Sequence, residues 1–86
     1  MSKTTKSTED YLEAIYHSLK SRGHARTIEI ANDLNIRPPS VTEMFQKLNK
    51  QGLLNYQKYG GATLTAKGER IAKTIYDTHE AIRKFL

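Results

Sequence analysis

Apolar residues recur at three- and four-residue intervals from the start of the chain. In STEDYLEAIYHSLKSRG, Tyr11, Leu12, Ile15, Tyr16 and Leu19 form one stripe, which predicts an amphipathic helix with a single buried face. Ser7 or Thr8 caps it, Asp10 is placed for the helix dipole, and Gly23 ends it. In ARTIEIANDLNI, Thr27 is the expected cap of a helix of about two turns, with Ile28, Ile30, Ala31 and Leu34 inward and Asn35 as the stop. A third helix carries Val41, Met44, Phe45 and Leu48 on its inner face and closes at Gly52.

The period then changes. LLNYQKYGGATLT reads as two short strands, Leu53 to Gln57 and Ala62 to Thr65, around a turn holding Gly60 and Gly61. A last helix is capped by Thr65, places Ile71, Ile75, Ile82 and Phe85 inward, and runs to the final residue. Neither an internal repeat nor a low-complexity tract interrupts this order. The fold class is mainly α with a small β-hairpin: a winged helix-turn-helix of three helices, a two-stranded wing and a long C-terminal helix, with Asn35, Ile36 and Arg37 as the short link the motif needs.

The prolines of NIRPPSVTEMFQKL explain how the third helix starts. Each disfavours helical geometry in the residue before it, so Arg37 and Pro38 are expected to be extended and Pro39 to be the first helical residue. A competing local reading makes Ser40 the cap, with Glu43 as its capping-box partner. In both readings Arg37, Pro39, Ser40, Thr42 and Glu43 lie at or near the outer start of the helix, with Lys47 one turn on. Short side chains let a helix enter a major groove, and hydroxyls bond base edges or phosphates. Arg37 suits either a guanine edge or a phosphate, and Glu43 suits either a cytosine amino group or a capping role. On the wing, Lys58 is the expected phosphate contact, whereas Tyr56 and Tyr59 fit cross-strand packing better than base stacking.

Charge adds to this picture. A formal net charge of +5 and a pI near 9.6 favour an acidic partner such as nucleic acid. The absence of cysteine excludes disulfides, thiolate zinc sites and cysteine nucleophiles. MSKTTKS is polar and basic, with no following apolar run of signal or membrane-spanning length, so a soluble, cytoplasmic protein is expected. Neither a nucleophile–base set nor a phosphate-cradling glycine loop is visible, which argues against an enzyme. The remaining alternative is a winged-helix module that binds protein through the same surface.

TEDYLEAIY, the PPSVTEM segment, the LTAKGERIA segment and the helix carrying His79 and ending in FL together resemble the amino-terminal domain of the diphtheria-toxin-repressor family, the iron- and manganese-dependent transcriptional repressors. The similarity covers nearly all of the chain beyond Lys6. It implies a metal-activated repressor that binds double-stranded DNA as a homodimer at palindromic operators. The polar, basic start reads as a flexible arm at 1–6, and the resemblance divides the rest into a DNA-binding domain at 7–65 and the start of a dimerisation helix at 66–86.

Asp10 and Glu13, three apart on one helix, share a face, the spacing two carboxylates need to approach one ion. The resemblance adds His79, because manganese-type relatives carry metal-site residues at the positions of Asp10, Glu13 and His79. Iron-type relatives have methionine where Asp10 stands. The oxygen-rich set therefore leans to Mn²⁺ over Fe²⁺. His17 lies near the same line as a substitute ligand. Arg83 stands where iron-type relatives carry a glutamate of their second site, and the family's remaining ligands come from beyond position 86. Ile82, Phe85 and Leu86 would form an apolar tip suited to pairing with a twin chain or another domain.

Overall fold

The computed structural model describes residues 7–57 and 61–84. The arm at 1–6, the wing tip of Lys58, Tyr59 and Gly60, the side chains of Arg83 and Lys84, and Phe85 and Leu86 lie outside that description. Helix α1 spans Thr8–Arg22, α2 Thr27–Leu34, α3 Pro38–Lys50 and α4 Ala66–Lys84, with strands β1 Leu54–Gln57 and β2 Gly61–Leu64 between the last two helices. The strands pair antiparallel, Leu54 opposite Leu64 and Tyr56 opposite Ala62, each one residue away from the expected start or end.

Capping chemistry sets the helix ends. Ser7 accepts the Asp10 N–H while the Asp10 carboxylate accepts the Ser7 N–H, so Asp10 closes a capping box. Thr27 is not the cap of α2: that position belongs to Arg26, whose N–H donates 3.0 Å to Glu29 Oε1. Asn35 ends α2 at φ 57°, ψ 49°, the left-handed conformation that asparagine tolerates. Helix α3 starts at Pro38, one residue before expectation, and Arg37 is its extended N-cap. Pro38 suits the first helical position because its ring fixes φ near the helical value and it lacks an N–H that would go unpaired there. Ser40 is already inside the first turn, with its N–H bonded to the Arg37 carbonyl, so it is not the cap.

The core lies where α1, α2 and α3 meet the wing. Leu12, Ile15, Ile30, Val41, Phe45, Leu48 and Leu54 are fully buried. Two helices depart from the expected apolar stripes. Ile28 is 58% exposed, because the shift of the cap to Arg26 leaves it on the outer side of the first turn of α2. On α4 the buried residues are Gly68 and Ala72, with Tyr76 packed behind them, while Ile71 and Ile82 face outward. The close backbone approach explains this. A Cβ on Gly68 would fall inside the Leu53 carbonyl, so only small residues fit where α4 crosses the start of the wing. Thr65 is the expected cap: its Oγ1 accepts the Gly68 N–H and donates 2.7 Å to the Gly52 carbonyl.

Candidate nucleic-acid interface and metal cavity

Helix α3 and the wing form one framework. The Tyr56 N–H donates to Asn49 Oδ1, and the Tyr56 ring packs edge-on to Phe45 with centroids 5.5 Å apart, so Tyr56 serves packing. The wing is also fastened to the link between α1 and α2, where the Ala25 carbonyl accepts the Ala62 N–H at 2.9 Å. Gly61, at φ 82°, lies so close to that carbonyl that a Cβ would meet it at 2.6 Å. Pro39, Ser40, Glu43 and Lys47 are exposed on this framework, as is Arg37 at its entry, while Thr42 is half-buried at its side.

A chain of polar contacts anchors α2 against α1. Arg22 grips both oxygens of Asp33, at 2.8 and 3.0 Å, and donates to Ser18 Oγ, which in turn donates to the His24 carbonyl. His24 Nδ1 lies 2.9 Å from Glu29 Oε1. The Arg26 N–H, opposed by desolvation and assisted by His24, holds the Glu29 carboxyl below the usual carboxylate range. A depressed folded-state value means that the Glu29 contribution is present above the unfolded value and disappears as pH falls through the folded one. Glu29→Ala should therefore lower the urea midpoint at neutral pH, with the gap from the parent closing in acid.

Between α1, α2 and α4 lies a cavity of about 300 Å³, lined in part by Asp10, Glu13, His17, Asp33, Tyr76 and Glu80. At its edge His79 Nδ1 meets Glu13 Oε1 at 2.8 Å, joining the first and last helices. Asp10 faces the same cavity but keeps its capping bond to the Ser7 N–H. The His17 ring stacks on Tyr76 at 6.1 Å. Among the described residues no three His, Asp or Glu side chains are gathered closely enough to hold a metal ion. Carboxylate oxygens beside one imidazole nevertheless match the donor chemistry of a hard or borderline divalent ion.

Residues 3–62 match the family model for the iron-dependent repressor N-terminal DNA-binding domain. The chain belongs to the iron-dependent repressor family. It is 48% identical over 82 residues to the HTH-type transcriptional regulator MntR of Lysinibacillus sphaericus, covering 95% of this chain and 59% of that protein. The chain thus spans less than two thirds of the length of this curated relative. The solved structure of ScaR with bound Zn²⁺ superposes with a TM-score of 0.71 at 34% identity, over 86% of this chain and 34% of that one. The manganese regulator SloR gives 0.70 at 34% identity, over 87% and 35%.

In this iron-dependent repressor-family chain, the sequence-derived site residues divide into two groups. The structure brings Glu13 and His79 into contact and places Asp10 on the rim of the same cavity. It sets Arg37, Pro39, Ser40, Glu43 and Lys47 along one exposed flank of α3, while Lys58 lies outside the described residues. Three exposed side chains escape the sequence reading: Gln46 and Lys50 on that flank, and Arg26, whose backbone lies against Gly61 of the wing. The spacing of Glu43, Gln46 and Lys50 by three and four residues carries the signal for the last two. No helix among the described residues is long and apolar enough to cross a membrane.

Proposed function

We propose that this chain is a sequence-specific, double-stranded DNA-binding transcriptional regulator that responds to Mn²⁺ or Fe²⁺ and acts in the cytoplasm as a homodimer on a palindromic operator. The observation carrying this reading is the exposed outer flank of α3, rigidly tied to the wing through Asn49 and Phe45. Arg37, Lys47 and the wing Lys58 hold phosphates, and Pro39, Ser40, Thr42 and Glu43 face the groove. The names of its relatives, transcriptional regulators and a manganese regulator, support the same reading.

Asp10, Glu13 and His79 would hold the ion, which supplies a positive charge tying α1 to α4 when bound. Mn²⁺ is favoured by the two carboxylates and single imidazole. Exposed Ile71 and Ile82 on α4, with half-buried Ile75 between them, suit an apolar pairing surface for the twin chain. A band-shift titration on a palindromic promoter site tests the switch. The parent should bind at least about tenfold more tightly in Mn²⁺ than after chelation, the size of an ordinary allosteric coupling. Glu13→Ala should bind alike in both conditions. Equal binding of the parent with and without metal would remove the metal response and leave DNA reading intact.

A further inference from the structure

The inner line of α3 is set by Val41, Phe45 and Leu48, all fully buried. At 3.6 residues per turn, the opposite strip runs through Pro39, Glu43, Gln46 and Lys50, and all of these are exposed. Neither the Glu43 nor the Gln46 side chain hydrogen-bonds to any other part of the chain among the described residues. Glu43 is repelled by phosphates, so a helix seated with this strip inward turns its carboxylate to the base edges. Lys50 and the neighbouring Lys47 add positive charge at the far end, where the duplex backbone can be held.

Gln46 differs chemically from every other exposed side chain on this strip. Its amide presents one donor and one acceptor side by side, the pattern that matches adenine N7 and N6 bidentately. Glu43, ionised, only accepts, which matches the cytosine amino group. Three residues along a helix advance about 4.5 Å, close to the roughly 3.4 Å rise between base pairs. In a helix laid along the groove, the two side chains would span neighbouring base pairs.

We propose that Gln46 and Glu43 form the specificity-determining couple of α3, with Gln46 reading an adenine and Glu43 a cytosine in the adjoining base pair. This rests on the DNA-reading function proposed above. The test is selection of binding sites from random duplexes by the 86-residue chain in Mn²⁺, in parallel with Gln46→Ala, Gln46→Lys and Glu43→Ala. All three changes are on exposed positions, and thermal melts confirm that the folds match. The parent should select an adenine next to a cytosine in each half-site. Gln46→Ala should lose the adenine preference by about tenfold or more, Gln46→Lys should replace it with guanine, and Glu43→Ala should flatten only the cytosine position.

A parent that enriches no sequence overturns the DNA-reading function together with this couple. A parent motif that survives Gln46→Ala unchanged overturns the couple alone. So does a uniform loss of affinity for all sequences, which would make Gln46 a backbone contact.

Discussion

Gly68→Ala will unfold or nearly unfold the domain, although alanine is the better helix former. Helix propensity alone assigns the change a gain of about 1 kcal/mol. Packing reverses the sign. The added methyl would enter the Leu53 carbonyl, a backbone group already accepting the Thr65 N–H. Neither neighbour is a flexible side-chain tip. Moving Leu53 would disturb its N–H bond to the Leu48 carbonyl and the seam between α3 and the wing. A loss of about 3 kcal/mol or more follows, at the upper end of ordinary overpacking. For a domain this small that is a fall in melting temperature of more than about 12 °C. Circular-dichroism melts of parent, Gly68→Ala and the exposed control Lys67→Ala decide it. A variant as stable as the parent would show that α4 can lift away from the wing freely.

The second large effect is in salt. If Arg37, Lys47, Lys50 and the wing Lys58 each neutralise one phosphate, the logarithm of affinity falls against the logarithm of salt with a slope of about −3.6 per docked domain. Between 50 and 200 mM salt, that amounts to a loss of about 150-fold. The double change Arg37→Ala with Lys47→Ala should weaken binding and flatten the slope by about two. Fluorescence anisotropy at four or five salt concentrations measures both. A slope near zero would instead fit a protein-binding surface, where apolar contact dominates and ions matter little.

The fold was legible wherever a side-chain stripe alone determines burial. On α1, large apolar residues line up and are buried as expected, because that helix meets others through its side chains. On α4 the same logic points to the wrong face. Its contact at Gly68 is with the backbone of Leu53, small Ala72 is buried one turn on, and Ile71 and Ile82 are displaced outward. A periodicity count rewards bulk and passes over glycine. The start of α2 misleads for a related reason: the cap is made by Glu29 reaching back to the Arg26 N–H, so no hydroxyl is needed where Thr27 invites one.

The site was legible in pieces. Glu13 and Asp10 share a face by spacing, but their meeting with a residue from the far end of the chain depends on how α4 crosses α1, which no local pattern encodes. The flank of α3 could be read from its neighbours, since burying Val41, Phe45 and Leu48 determines which residues are left outside. Gln46 went unread because an exposed glutamine in a helix is ordinary until its place opposite the core is known.

Helix α4 is held near one end where Gly68 lies on Leu53, and again about 16 Å along its axis where His79 meets Glu13. A beam supported at two such points cannot swing about either. Any partner resting on Ile71, Ile75 and Ile82 therefore takes its bearing from the supports, and loosening the Glu13 end would re-aim it without breaking a single contact in the partner's own footprint.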